Sequence, residues 1–109
     1  MAEETNETPA PKKAARKPDP LTQILNEVKA EIKELGEFEV AEINDSLRRG
    51  HDRRATAWAK EYGKSGRYDA CILSAAFEAL SCYRQERRHA LLQLAAVAIA
   101  AAEKLETGQ

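Results

Sequence analysis

This chain of 109 residues holds only two cysteines, one tryptophan, one methionine and four prolines, and aromatic residues make up 6 % of it. Each scarcity removes a class of protein. Cys71 and Cys82 stand eleven positions apart, which on one helix is about three turns or roughly 16 Å, beyond the Cα separation a disulfide tolerates. Eleven steps of 100° return nearly to the same face, so both read as small core residues in a reducing compartment. No C-x-x-C, H-E-x-x-H or His/Cys cluster occurs, which argues against a zinc site, and no metal ligand set is expected. Lysine and arginine number 17 against 18 aspartate and glutamate, a formal net charge of −1. Such a balance does not coat nucleic acid through bulk charge. The longest mainly apolar run, residues 91–102, is about twelve residues and falls short of the roughly twenty that span a bilayer. The opening MAEETNETPAPKKAARK lacks the apolar centre of a secretory signal. A cytoplasmic protein without membrane association is expected.

What is present is alanine-rich helix. Residues 91–102 read LLQLAAVAIAAA, with Gln93 the single polar side chain. A helix that is apolar all round is stable in water only when protein surrounds it, so this run is expected at the centre of a bundle. Residues 68–80, YDACILSAAFEAL, supply a second apolar helix. Pro9, Pro11, Pro18 and Pro20 all lie in the first twenty residues, among Glu3, Glu4, Glu7, Lys12, Lys13, Arg16 and Lys17. That segment has little to bury and reads as a disordered arm over 1–20. Its basic half is a solvated linker or a tether for an acidic protein or nucleic acid. A helical domain follows over 21–106, with a disordered tail at 107–109. A core of roughly 85 to 90 residues buries only about 60 to 70 % of its unfolded surface, which favours a homo-oligomer, a homodimer being the simplest.

Helical spacing begins after Pro20 with Leu21, Ile24, Leu25, Val28, Ile32 and Leu35 on one stripe, and Gly36 ends that helix. Val40, Ile43 and Leu47 at i, i+3, i+7 predict a second helix over 37–49, stopped by Gly50. Asp52 is a plausible N-cap for a short third helix carrying Ala55, Trp58, Ala59 and Tyr62 on one face. A loop is predicted at 63–66, then the apolar helix from Tyr68, then a turn in the polar cluster 84–89 before the last helix. A single continuous helix there would run nearly 60 Å at 1.5 Å per residue, so a hairpin is preferred. Alanines at 95, 98 and 102 facing those at 75 and 79 would permit close backbone packing. No stretch alternates convincingly with period two. The fold class is all-α, a small bundle of four to five helices around a central apolar, alanine-rich hairpin.

Phosphoanhydride hydrolysis needs Mg²⁺ held by several carboxylates from facing helices. The runs Y-D-A-C-I-L-S-A-A-F-E-A-L and H-A-L-L-Q-L-A-A-V-A-I-A-A-A-E resemble the core hairpin of MazG-like all-α nucleotide pyrophosphohydrolases, in particular a small branch common in phages and actinobacteria. There the first helix reads roughly W-x-x-I-L-x-E-E-x-x-E-A and the second E-L-x-Q-V-A-A-V-A. I-L-N-E-V-K-A-E at 24–31 is similar to the family's lead-in. The resemblance covers most of 21–106, the hairpin being its specific part. It implies that Tyr68 takes the aromatic position, Glu78 the last motif glutamate and Gln93 the glutamine of the second helix. Ser74, Ala75 and Ala90 then stand where the family has glutamates. Glu78 is the one retained motif acid and the one weak metal candidate, so the resemblance implies a degenerate member that binds a nucleotide or a protein partner without hydrolysis. Mg²⁺ enters only if an active pyrophosphohydrolase draws on Glu78 with Glu86, Glu61 or a neighbouring chain.

Other residues offer binding chemistry without a metal. Arg48, Arg49, Arg53 and Arg54, with His51, form one basic cluster, and Arg84, Arg87 and Arg88, with His89, another. Guanidinium forks suit phosphate oxygens, so both are phosphate-binding candidates, against salt bridging to Glu42, Glu61 and Glu86. They equally serve a helical adaptor for an acidic protein or nucleic acid. Trp58 and Tyr62, one turn apart, are candidates to stack on a base, or else pack in the core. His89 reads as a surface residue and Asp69 as a first-turn acid that suits the helix dipole.

Overall fold

A computed structural model describes residues 19–108. The expected arm lies outside that range except for its last two positions, and these start a helix. The Asp19 side chain accepts a hydrogen bond from the Thr22 amide at 2.7 Å, and Pro20 sits in the first turn, where its missing N–H costs nothing. Helix α1 spans Pro20–Glu34. Gly36, at φ +73°, follows it as the spacing predicts.

The next stretch departs from expectation. Residues 36–44 form no helix, and α2 begins only at Asp45. Gly36, at φ +73°, and the Asn44 cap bound the stretch, and Glu37, Glu39 and Glu42 leave it little apolar surface to bury as a helix. Asn44 then provides the stronger start, its side chain accepting from the Leu47 amide at 2.9 Å. Helix α2 runs unbroken over Asp45–Ser65, so Gly50 is not a stop, Asp52 is not a cap, and the separate third helix is the second half of α2. An interior glycine costs about 1 kcal/mol relative to alanine. Gly50 is buried, and Asp45 pairs with both Arg48 and Arg49 just before it. The helix therefore persists. The loop predicted at 63–66 contracts to 66–67: Gly66, at φ +67°, ends α2 by donating its N–H to the Tyr62 carbonyl at 2.9 Å.

Helices α3 (Tyr68–Ser81) and α4 (Arg84–Thr107) form the expected hairpin. Its turn, however, is Cys82 and Tyr83, and the cluster 84–89 lies inside α4. The last carbonyls of a helix lack partners within it. Here Arg48 Nη1 donates to the Ser81 carbonyl at 3.2 Å and Arg87 Nη2 to the Cys82 carbonyl at 3.1 Å, so arginines from two neighbouring helices close α3 early. At the far end the expected tail is corrected: Thr107 is still helical and Gly108, φ +79°, caps the helix, while Gln109 lies outside the described residues.

The helices pack in the spatial order α2, α3, α4, α1, and α1 makes no comparable contact with α2. The result is an open all-α array of four helices, with no strand among the described residues. Burial is correspondingly shallow. Ala70 and Ala79 are 1 % exposed, Ile24, Ala55, Cys82 and Ala90 are buried, and no large side chain among the described residues is fully enclosed. The closest-packed cluster joins Ala79, Cys82 and Ala90 beside the turn, whereas Ala95 and Ala98 are exposed. The apolar run of α4 is thus not the surrounded core its composition predicts: among the described residues α3 and α1 are the helices that pack most on it, and much of it stays exposed. No helix among the described residues is long and apolar enough to cross a membrane.

Candidate functional site

Helix α3 is the floor of a cleft of about 480 Å³ whose walls are α2 and α4. Ser74, Ala75 and Glu78 fall at i, i+1 and i+4 and so share one face of α3, with Cys71 one turn earlier. Gln93 and Val97 face them from α4, and Thr56, Ala59 and Tyr62 from α2. Four positions singled out by the family resemblance, 74, 75, 78 and 93, therefore meet in one place. Ala90 does not join them, being buried with Ala79 and Cys82. Tyr68 is also elsewhere, bordering a small cavity of about 110 Å³ with Ala101, Lys104 and Leu105.

Among the described residues the cleft carries one carboxylate (Glu78), one amide (Gln93), one thiol (Cys71) and the hydroxyls of Thr56, Ser74 and Tyr62, and no cation. Among the described residues no group of three or more His, Cys, Asp or Glu side chains is arranged to hold a metal ion. Mg²⁺ demands near-octahedral oxygen coordination, and an exposed Glu78 alone does not meet it. The residues present do not fit the metal that the resemblance implies, and no hydrolytic step follows from them.

Compared with protein-family models, curated proteins and solved structures, the chain matches none.

The two base-stacking candidates are separated. Tyr62 borders the cleft just described, while Trp58, half-buried, lines a second hollow of about 470 Å³ with Glu61, Arg67, Asp69 and Ala70. They do not sandwich one ring. In that second hollow Arg67 forks onto Asp69, Nε to Oδ1 at 3.2 Å and Nη2 to Oδ2 at 3.0 Å. The hydrogen-bonded guanidinium holds the Asp69 carboxyl below its usual range, and the Asp69 side chain in turn raises Arg67. Asp69 also accepts from the Ala70 amide at 2.8 Å, the helix-start role its position predicts.

The phosphate-binding candidates are dispersed among structural contacts. Arg48 and Arg49 pair with Asp45 at 3.3 and 3.2 Å, and the Arg48 guanidinium lies 4.9 Å above the Tyr83 ring. Arg54 stands 6.0 Å over Phe77, whose ring also stacks on His51 at 5.9 Å. Arg84 pairs with Glu42 at 2.7 Å, and Arg87 is 9 % exposed, its Nε and Nη1 buried without an acceptor. Arg53, Arg88 and His89 are exposed. Arg84, Arg87 and Arg88 do share one hollow with Val40, Leu91 and Leu92.

Sequence reasoning missed Thr56 and Cys71 as cleft residues. The signal for Cys71 was its spacing of i−3 from Ser74, which places it on the motif face; Thr56 had none, since it depends on how α2 rotates against α3.

Proposed function

We propose that the chain is a cytoplasmic, MazG-like binding protein without hydrolase activity, whose cleft between α2, α3 and α4 holds the nucleoside part of a nucleotide. What carries this reading is the meeting of positions 74, 75, 78 and 93 in that one cleft, with a single acid among them. Glu78 accepts hydrogen bonds only, Gln93 both accepts and donates, and the hydroxyls of Thr56, Ser74 and Tyr62 do either. That set suits the N–H and O–H groups of a base and a ribose. Among the described residues no lysine or arginine lines the cleft, so phosphates gain nothing from these walls and remain in solvent.

Calorimetric titration of the protein with nucleosides and nucleoside triphosphates, with and without Mg²⁺, tests this, each mixture being assayed for pyrophosphate. Saturable heat of similar size from nucleoside and triphosphate, with no pyrophosphate released, is the expected result. Glu78→Gln should weaken binding by about tenfold, the loss of roughly one charge-assisted hydrogen bond. Mg²⁺-dependent pyrophosphate release that disappears in Glu78→Gln would replace this reading with an active hydrolase, and the absence of heat from every ligand would remove the cleft from consideration.

A further inference from the structure

Three guanidiniums gather where α4 begins. Arg84, Arg87 and Arg88 stand at i, i+3 and i+4 and so share one side of the helix. With Val40, Leu91 and Leu92 they line a hollow of about 350 Å³. Arg84 and Arg88 are exposed, whereas Arg87 is 9 % exposed. Arg87 Nη2 donates to the Cys82 carbonyl, but among the described residues nothing accepts from its Nε or Nη1, both of which are buried. A guanidinium stays charged at any working pH, and burying one with donors unpaired is costly unless an acceptor is supplied. Among the described residues the acid that answers these arginines is Glu42, whose Oε2 accepts from Arg84 Nη1 at 2.7 Å while both side chains remain mostly in solvent. One carboxylate against three guanidiniums leaves the hollow positive. The helix adds to this, because Tyr83 at its N-cap makes no capping hydrogen bond through its side chain, and the first-turn N–H groups keep their partial charge at the same end.

We infer that this hollow binds a phosphate group, free or carried by a small organic molecule, and that the Glu42 carboxylate stands where one phosphate oxygen is held. A planar carboxylate matches the fork of one arginine. A tetrahedral phosphate presents oxygens in several directions, so it can accept from Arg84, Arg87 and Arg88 together and bring two charges to a site that Glu42 leaves unbalanced. The exposed Glu42–Arg84 pair is weakly held and yields to such a ligand. Val40, Leu91 and Leu92 then offer an apolar shelf beside the phosphate for an organic substituent. The site is separate from the nucleoside cleft. At 100° per residue, positions 84, 88 and 91 lie roughly 140–180° around α4 from Gln93, which faces that cleft, so neither reading depends on the other.

The test is calorimetric titration of the full chain with inorganic phosphate and, separately, with phenyl phosphate, in Tris chloride at constant ionic strength. Saturable binding in the millimolar range or tighter is the expected result. Tighter binding of the ester assigns the site to an organic phosphate; equal or weaker binding of the ester assigns it to the free ion. Arg88→Gln should weaken binding by about tenfold, the loss of one charge-assisted contact. Glu42→Gln should strengthen it by about threefold, since a competing carboxylate is removed. Lys60→Gln, which takes the same charge from an exposed side chain of α2, should leave it unchanged. Arg88, Glu42 and Lys60 are all exposed, so circular dichroism should show the parent's helical content in each variant. No saturable binding of either probe at millimolar concentration, undiminished affinity in Arg88→Gln, weaker affinity in Glu42→Gln, or a loss in Lys60→Gln as large as that in Arg88→Gln would each overturn the inference.

Discussion

Arg48, near the start of α2, donates from Nη1 to the carbonyl of Ser81, the last residue of α3, at 3.2 Å and 33 positions further along the chain. The same guanidinium pairs with Asp45 and lies over Tyr83, so one side chain ties the start of α2 to the hairpin turn. With its side chain only 20 % exposed, the loss of this charged hydrogen bond should cost about 1.5–3 kcal/mol in Arg48→Ala. Urea unfolding followed by circular dichroism measures it. Arg48→Lys should recover little, because an ammonium cannot reproduce the planar fork that serves carboxylate, carbonyl and ring together; full recovery by lysine would show that charge alone matters there.

Gly66 and Gly63 should respond to alanine in opposite directions. At Gly66 the backbone is left-handed, φ +67°, which costs an L-residue roughly 1–2 kcal/mol, so Gly66→Ala lowers the melting temperature. Gly63 lies within α2, and a Cβ there meets nothing within 4 Å. Gly63→Ala should raise stability by about 0.5–1 kcal/mol. Thermal melts of the two variants at one concentration decide it.

Two carboxyls make stability depend on acid pH. Hydrogen bonding to Thr22 lowers Asp19, and hydrogen bonding to Arg67 lowers Asp69, each below the ordinary aspartate value of 3.8. A depressed folded-state value means that the unfolded chain binds the proton more readily. Their contribution is therefore present above about pH 4 and is lost as pH falls through the folded values. Asp19→Asn keeps a capping side chain but removes that titration, so denaturation midpoints between pH 2.5 and 6 should fall less steeply in the variant than in the parent. A steeper fall would contradict the sign.

How far the sequence could be read depended on whether a signal was local. The change to helical spacing after Pro20, with Gly36 beyond, brackets α1, and the structure starts the helix one residue earlier, at Pro20, because Asp19, read as part of the arm, caps it. The start of α2 was obscured because Val40, Ile43 and Leu47 satisfy a helical period by coincidence, while the deciding contact is the Asn44 cap on Leu47. Gly50 reads as a stop until the ion pairs of Asp45 and its own burial are known. The hairpin turn moved from 84–89 to Cys82 and Tyr83 because Arg48 and Arg87 close α3 from other helices, a tertiary effect with no local trace. In the cleft, the shared face of positions 74, 75 and 78 follows from helical spacing. The splitting of Trp58 from Tyr62 does not, since i and i+4 on α2 straddle its contact with α3.

The cleft also supports a gain-of-function test. Ser74 and Ala75 are half-buried and border the same hollow as Glu78, and at 100° per residue the three lie within about 100° of arc on α3. The variant Ser74→Glu with Ala75→Glu would place three carboxylates there, enough to begin a hard-cation site completed by water. Without metal their mutual repulsion should lower the melting temperature, and millimolar Mn²⁺ or Mg²⁺ should restore it, because an ion that binds only the folded chain stabilises it by mass action. The parent, with Glu78 alone, should show no such shift. If divalent ions leave the double variant as unstable as it is without them, positions 74 and 75 do not face a common point with Glu78, and the register in which the MazG-like motif was laid on α3 is wrong.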